Sequence, residues 1–254
     1  MKKNLRGLVC QLLIINCSLF IFSSCSVQKQ ISRSADSILK DSSLSTAHIG
    51  ISIYEPATNK YWFNYQGDHY FVPASNTKIP TCYAAMKYLG DSLKTFLKAE
   101  NDTAILLIPT GDPTFLHPDF KNQPAINFLQ NASKKIFTTD ISWKEEGLGL
   151  GWSWNDYNDS YMAERSPMPV YGNIIKWVQE KNDDDNDPPI VYSIPEVNWK
   201  VDFDTAKSNN FFVQRSIGEN SYKIKEGKKS PAEQQVPFVT DGVRSAIELL
   251  PDTI

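Results

Sequence analysis

Apolar side chains alternate with polar ones in two short segments that a turn separates. The first segment is 49–53 and the second is 61–65, and each has a branched or aromatic side chain at every second position. The residues between them include Pro-Ala-Thr-Asn at 56–59, which is typical of a turn. Alternation with a period of two places one face of a strand against a core. The pattern therefore predicts a β-hairpin.

Beyond residue 74 the apolar period becomes helical. Apolar side chains recur along one face at these positions: Ile79, Cys82, Tyr83, Met86 and Leu89. Gly90 follows as a stop signal. Pro80 lowers helix stability unless it lies close to the first turn, which favours a helix start near Ala74. The pattern predicts an amphipathic helix in which Cys82 is a small buried core residue.

The rest of the chain contains mainly short apolar runs. They predict strands at 104–108, 136–143, 190–194, 211–215, 222–225 and 236–240. A short helix is predicted at 125–132, and residues 182–189 read as a solvated loop. Asp241 is predicted to cap a last helix whose inward residues are Val243, Ala246, Ile247 and Leu250. Strands outnumber helices, so we expect a β-rich segment after the first helix.

The N-terminus has the pattern of a secretion signal. Three basic residues precede a mostly apolar stretch at 8–22, which polar residues interrupt and which is too short for a confident membrane span. Phe-Ser-Ser-Cys at 22–25 resembles a bacterial lipobox, which predicts a lipid on the thiol of Cys25. The alternative is an ordinary cleaved signal peptide with an incidental cysteine. Residues 26–45 then read as a polar tether.

Charge and cysteine count exclude several classes of protein. Residues 1–25 contain three basic and no acidic residues, so their removal takes the formal net charge from −3 to −6. This acidic balance gives no reason to expect nucleic-acid binding. Of the four cysteines only Cys82 lies beyond residue 25, so no disulfide framework is implied. The three histidines lack the spacing of metal ligands, and neither a metal nor a cofactor is predicted.

The candidate chemistry is a serine and a lysine three positions apart at the start of the predicted helix. In that position Ser75 and Lys78 share one face, and a neutral lysine amine could accept the serine proton. The same spacing occurs at Ser26–Lys29 and Ser37–Lys40, but only Ser75 follows a hairpin and opens an amphipathic helix. The alternatives are a serine that only caps the helix and a solvated lysine.

Three ordered motifs resemble one enzyme family. They are Phe-Val-Pro-Ala-Ser-Asn-Thr-Lys at 71–78, Gly-Asp-Pro-Thr-Phe at 111–115 and Gly-Trp-Ser-Trp-Asn-Asp at 151–156. The third motif is followed by further matching positions: Tyr161, Ser166 and Asn173. Together they resemble the penicillin-binding protein 4 type of D-alanyl-D-alanine carboxypeptidase and endopeptidase, peptidase family S13. The resemblance extends over most of the chain beyond residue 45.

The resemblance implies an α+β fold. In it a partial β-lactamase/transpeptidase-like domain, an antiparallel sheet covered by helices, carries a β-rich inserted region. The implied organisation is a lipoprotein signal peptide (1–25), a tether (26–45), the N-terminal part of the transpeptidase-like domain with the Ser-x-x-Lys helix (46–100), the inserted region (101–240) and the start of the return to the first domain (241–254).

The resemblance also implies a chemistry. Ser75 would be the nucleophile of an acyl-enzyme, with Lys78 as its base. The substrate would be a peptidoglycan stem peptide, and β-lactam antibiotics would act as acylating inhibitors. The protein would lie in the cell envelope, facing the periplasm, and its only membrane contact would be a lipid anchor. Asp156 would reach toward the cleft and pair with an amino group of the stem peptide; its alternative role is local turn bonding. Asp112 is expected to be a turn residue, and Trp152 and Trp154 are expected to anchor the core.

Two short sequence elements that complete the active site in this family bear on whether the chain is active. Neither Lys-Thr-Gly nor Lys-Ser-Gly occurs in the chain, and the two Ser-x-Asn matches, at 153–155 and 208–210, are interpreted as chance matches. We therefore expect a fragment, a frame-shifted product or a form that has lost catalysis. The alternatives to a carboxypeptidase are a non-catalytic envelope lipoprotein that binds peptidoglycan peptide or a partner, and a β-lactamase-like serine hydrolase.

The lipobox generates the first testable prediction. We expect the protein to partition into the membrane fraction and Cys25→Ala to release or mislocalise it, because the thiol that carries the lipid is lost. Fractionation of cells, with mass spectrometry of the N-terminal peptide, measures both effects. Unchanged partitioning of the variant, together with an unmodified Cys25 in the parent protein, would contradict the prediction.

Overall fold

The computed structural model describes residues 27–182 and 188–250. Cys25, and most of the loop predicted at 182–189, lie outside these residues. The described chain divides into two compact units, one ending at Ala85 and the other beginning at Met86. The mixture of helices with antiparallel and mixed sheets confirms the predicted α+β class. The finer domain bounds given above stay predictions.

The first unit contains the predicted hairpin. Helix α1 covers 27–39, and strands β1 (Ile51–Glu55) and β2 (Lys60–Tyr65) pair antiparallel. The Glu55 carboxylate accepts hydrogen bonds from the Thr58 hydroxyl and, at 3.2 Å, from the Trp62 indole N–H. These two bonds lower the pKa of Glu55 below its usual value. The Glu55 carboxylate therefore links the end of β1 to the turn through Thr58 and to β2 through Trp62.

The helix predicted to begin near Ala74 is confirmed, with a tighter first turn. A 3₁₀ turn at Ser75–Thr77 leads directly into α2 (Lys78–Leu89), and Gly90 ends the helix with φ of +78°. Pro80 is the third residue of α2. It is tolerated there because the first N–H groups of a helix have no intrahelical acceptor.

The predicted burial of Cys82 is wrong. Cys82 is exposed, and its neighbours on the apolar face are each more than 60 % exposed: Ile79, Tyr83, Met86 and Leu89. Periodicity predicts which residues share a face, but burial also requires a second apolar surface. No element of the described chain buries this face of α2.

The second unit contains three three-stranded sheets. β3 (Phe96–Glu100) pairs antiparallel with β4 (Ala104–Pro109), and β5 (Lys135–Thr138) joins β4 in parallel. β6 (Ile174–Glu180) lies between β7 (Ile190–Ile194) and β11 (Ala232–Pro237), antiparallel to both. β10 (Ser221–Gly227) lies between β8 (Lys200–Ser208), which is parallel to it, and β9 (Phe212–Arg215), which is antiparallel. The helices are α3 (Pro124–Gln130) and α4 (Arg244–Leu249).

Several predicted elements shift or shorten. The strand predicted at 136–143 ends at Thr138, and α4 starts after Val243 rather than at Asp241. Asp241 instead has a positive φ of 41°, and its carboxylate pairs with Arg244 at 3.7 Å. The predicted inward face is mostly confirmed, because Ala246 and Leu250 are buried and Val243 packs against the core. Ile247 is instead 43 % exposed, and Leu249 is buried in its place.

Aromatic side chains form the centre of the second unit. Trp177 of β6 lies 5.0 Å from Tyr222 of β10 between ring centroids, and Trp199 stacks on Tyr222 at 6.2 Å. Phe238 contacts Trp199 at 5.5 Å. Aliphatic side chains of β6, β9, β10 and β11 complete the cluster. This cluster holds the β6 sheet against the β10 sheet.

A buried glutamine links the same two sheets through hydrogen bonds. Gln179 of β6 is fully buried, and its side-chain N–H groups donate to the carbonyls of Gly227 and Lys229, both at 3.0 Å, and to the Ser230 hydroxyl at 3.1 Å. Its oxygen accepts from the Gly227 N–H at 2.9 Å. A Cβ at Gly227 would lie 2.2 Å from the backbone nitrogen of Phe211, so only glycine fits there.

This arrangement predicts that Gln179→Met destabilises the chain. The thioether fills a similar volume but satisfies none of the four contacts, so the free energy of unfolding should fall by about 2 kcal/mol. Chemical denaturation followed by tryptophan fluorescence measures the change. Gln235→Met, at an exposed position of β11, is the matched control and should stay within about 0.5 kcal/mol of the parent. Equal stabilities for the two variants would contradict the assignment.

Candidate active site

Ser75 and Lys78 are brought into direct contact. The Lys78 ammonium donates a hydrogen bond to the Ser75 hydroxyl, with 3.1 Å between Nζ and Oγ. The 3₁₀ turn explains the contact, because side chains three positions apart nearly eclipse each other in that geometry. Among the described residues no carboxylate pairs with Lys78, and both side chains are exposed.

The serine does not serve as the helix cap. Ala74 occupies the N-cap position, and its N–H donates to the Asn76 side chain at 2.9 Å. The Thr77 hydroxyl donates to the Ala74 carbonyl at 2.9 Å. Asn76 and Thr77 therefore stabilise the turn, and the Ser75 hydroxyl is left facing Lys78.

The chain leading into Ser75 is held by an aromatic contact. The Phe71 ring lies 4.3 Å from the His48 ring between centroids, and a Cβ at Gly50 would lie 2.4 Å from Phe71. The His48 ring also donates to the Tyr70 carbonyl at 3.2 Å. Glycine at position 50 is thus required for Phe71 to lie across the start of the hairpin, four residues before the serine.

The Gly-Asp-Pro-Thr segment is a structural turn, as the sequence predicted for Asp112. This carboxylate is buried and accepts hydrogen bonds from the Thr95 hydroxyl at 2.6 Å, the Thr114 N–H at 2.9 Å and the Thr114 hydroxyl at 2.8 Å. Three donors satisfy a buried acid. Asp112 therefore fixes the turn and is not available for chemistry.

Asp156 lies in the second unit on a short 3₁₀ turn, Trp154–Asp156. Its N–H donates to the Ser153 carbonyl at 3.1 Å, and its own carbonyl accepts from the Asp159 N–H at 2.8 Å. The half-buried Asp156 carboxylate and, to a smaller degree, that of Asp159 interact with the exposed Tyr161 hydroxyl, and with desolvation they raise the pKa of Tyr161 to about 12. The turn bonds thus involve the backbone of Asp156 and leave its carboxylate beside Tyr161.

The expectation that Trp152 and Trp154 anchor the core is wrong. They are 42 % and 75 % exposed, because strand residues already fill the centre of this unit. The Trp152 indole instead folds back on its own loop, where a Cβ at Gly149 would lie 2.5 Å from the ring nitrogen. The Arg165 guanidinium lies 5.8 Å from the Trp152 ring centroid.

Glu164 is an anchor of this segment that sequence reasoning missed. Its carboxylate accepts from the Thr240 N–H at 2.9 Å and from the Thr240 hydroxyl at 3.1 Å. Asn173, a motif position, donates to the Glu164 carbonyl at 2.9 Å and to the Ser166 hydroxyl at 3.0 Å. No local signal marks Glu164, since its partner lies 76 residues away along the chain.

The serine hydroxyls of the two Ser-x-Asn matches form local hydrogen bonds. The Ser153 hydroxyl donates to the Asn155 side chain within one turn. The Ser208 hydroxyl accepts from the Asn210 N–H at 3.3 Å in the short connection from β8 to β9.

Over the described ranges there is no cluster of three or more potential metal ligands. In the same ranges no helix is both long and apolar enough to cross a bilayer.

Comparison with known proteins gives concordant matches. The model of the D-Ala-D-Ala carboxypeptidase 3 (S13) family matches residues 31–243. A D-alanyl-D-alanine carboxypeptidase from Actinomadura sp. (strain R39) is 27 % identical over 147 residues, which are 53 % of this chain and 27 % of the relative. The crystal structure of penicillin binding protein 4 (dacB) from Haemophilus influenzae superposes with a TM-score of 0.55 at 18 % identity.

That superposition covers 80 % of this chain and 49 % of the Haemophilus chain, so the present chain spans about half the length of the solved structure and about a quarter of the curated relative. The structural likeness agrees with the α+β fold described above. The family model covers well over half of the chain and includes all three motifs. The chain therefore belongs to the D-Ala-D-Ala carboxypeptidase 3 (S13) family.

Proposed function

We propose that this chain carries the nucleophile of a serine-type D-Ala-D-Ala carboxypeptidase that acts on peptidoglycan stem peptides. The observation that carries the proposal is the 3.1 Å hydrogen bond from Lys78 to the Ser75 hydroxyl at the start of α2. A neutral amine at this distance is within reach of the serine proton. Membership of the S13 family supports the choice of substrate class.

The proposed reaction is acyl transfer. The amine of Lys78 takes the proton of the Ser75 hydroxyl while the oxygen attacks the carbonyl between the two D-Ala residues. Backbone N–H groups, including that of Ser75, stabilise the tetrahedral oxyanion. The intermediate collapses as D-Ala leaves with a proton, and water then releases the shortened peptide from the serine. β-Lactam antibiotics would acylate the same oxygen.

We place this activity in the bacterial cell envelope, with Cys25 as the lipid attachment point. Family membership supports the envelope, and the Phe-Ser-Ser-Cys sequence at 22–25 supports the anchor. The lipid would hold the protein on the periplasm-facing membrane surface, where stem peptides are accessible.

One observation favours a second candidate, a non-catalytic lipoprotein that binds peptidoglycan peptide. Ser75 and Lys78 are both exposed, whereas a lysine that acts as a base at neutral pH needs burial or a neighbouring positive charge to favour its neutral form. The motif would then bind substrate without turnover.

Fluorescent penicillin distinguishes these two candidates. We expect weak labelling of the 254-residue chain, located on Ser75 by peptide mapping, because the sequence contains no Lys-Thr-Gly or Lys-Ser-Gly to hold the substrate carboxylate. Ser75→Ala should abolish the label, and Lys78→Ala should slow labelling by about 10²–10⁴-fold. Lys78→Arg should restore little, since guanidinium stays protonated.

Ser37→Ala is the matched control. Ser37 and Lys40 repeat the spacing near the end of α1, and the exposed Ser37 has no hairpin before it, so labelling should be unchanged. A folded chain that takes up no label at saturating penicillin would favour the non-catalytic candidate. Labelling that persists in Ser75→Ala would overturn the choice of nucleophile.

We further propose that Asp156 recognises an amino group of the stem peptide. Its carboxylate is half-buried beside Tyr161, and partial burial strengthens pairing with an ammonium group. The chain should bind Lys-D-Ala-D-Ala with a free side-chain amine about three- to fivefold more tightly than the same peptide acetylated on that amine. Isothermal titration calorimetry measures both dissociation constants.

Asp156→Asn should remove this preference and leave the affinity for the acetylated peptide unchanged. Asp202→Asn, an identical charge change on β8, is the control and should keep the preference. Equal affinities for the two peptides in the parent chain would contradict the role of Asp156.

A further inference from the structure

Arg215 is a buried cation that the proposed reaction does not use. It ends β9 opposite Tyr222 of β10, is 3 % exposed, and its burial lowers the pKa of its guanidinium. Among the described residues no carboxylate lies within ion-pair distance of it. Glu164, the carboxylate that acts on it electrostatically, already accepts two hydrogen bonds from Thr240. Its Nε has no hydrogen-bond partner in the described part of the chain.

The contacts that Arg215 does make converge on the two residues after Asp156. Its guanidinium donates to the Tyr157 carbonyl at 3.3 Å and lies 5.6 Å from the centroid of the Tyr157 ring. Its backbone N–H donates to the Asn158 side chain at 2.7 Å, and the Asn158 amide donates back to the Arg215 carbonyl at 3.5 Å. Its remaining hydrogen bond is to the Ser216 carbonyl at 3.4 Å.

Stability alone does not account for a charge in this position. Burying a cation without a paired carboxylate is costly, and an apolar side chain of similar volume is often neutral or stabilising. The side chain and the backbone of Arg215 instead hold two consecutive residues of a loop that has only short 3₁₀ turns of its own. These contacts fix the position of that loop relative to β9.

We infer that Arg215, together with Asn158, is a positioning residue that holds the Asp156 carboxylate beside Tyr161, ready to receive a substrate ammonium group. The inference rests on the proposed role of Asp156. Arg215 itself touches no substrate in this arrangement. It sets the position of the preceding turn through Tyr157 and Asn158, so its loss would move Asp156 without removing any group that pairs with the ligand.

The Tyr161 hydroxyl reports the position of Asp156 without any ligand, because Asp156 makes the largest contribution to its pKa shift and Asp159 a smaller one. With a pKa of about 12, roughly a tenth of Tyr161 is ionised at pH 11, whereas a tyrosine at its ordinary pKa is about nine-tenths ionised. NMR of chains labelled with ¹³C at the tyrosine ζ carbon measures this fraction, with Tyr161→Phe to assign the signal. Asp156→Asn gives the Tyr161 signal that is expected when the contact between Tyr161 and the Asp156 carboxylate is lost.

The test compares Arg215→Met and Asn158→Ala with Arg244→Met, which removes an exposed arginine from α4. We expect the first two variants to raise the ionised fraction of Tyr161 at pH 11 from about a tenth to more than half. They should also lose the preference for the free-amine peptide, as Asp156→Asn does. Arg244→Met should match the parent in both measurements.

A folded Arg215→Met chain, as judged by circular dichroism, in which Tyr161 titrates as in the parent would overturn the inference. If Arg215→Met does not fold, Asn158→Ala decides in the same way, because Asn158 is only half-buried. If Arg215→Met shifts the Tyr161 signal while the parent chain shows no preference for the free-amine peptide, the result would support the positioning role and contradict the proposed recognition by Asp156. The two failures are therefore distinguishable.

Discussion

The aromatic cluster between the β6 and β10 sheets is the contact on which the second unit depends. Trp177, Trp199, Tyr222 and Phe238 bury large apolar surfaces, and such burial is the main favourable term available to a small domain. The hydrogen bonds of Gln179 and Glu164 contribute less energy than this burial. Their role is to fix the register of the two sheets and the course of the long connection before β6.

This division of roles explains which elements could be read from the sequence. The hairpin at 51–65 and helix α2 have clear periods of two and about 3.6, and both were predicted. Strand β6 was missed because its buried face includes the polar Gln179 and its other face carries the apolar Ile174 and Val178, so apolar and polar residues do not alternate. Strands β3 and β8 were missed because they are largely exposed and carry charged residues, which weakens any apolar pattern.

The candidate site shows the same contrast. The contact between Ser75 and Lys78 follows from a spacing of three residues at a helix start, and short-range spacing is visible in a sequence. The two residues after Asp156 are bonded to Arg215, which lies 57 or more residues further along the chain and in no recognisable motif. The exposure of Trp152, Trp154 and Cys82 could not be predicted either, because burial depends on whether another part of the molecule covers a residue.

The difference in sequence range between the two sites has a consequence for the order in which they form. The geometry of Ser75 and Lys78 closes within a single turn, so it can be established as soon as that segment leaves the ribosome. The loop of Asp156 depends on partners 57 or more residues further along the chain. Closing so large a loop carries an entropic cost that local contacts avoid, and contacts of this range slow folding. During synthesis the contact between Ser75 and Lys78 can therefore exist before β9, which bonds to the loop of Asp156, has been made.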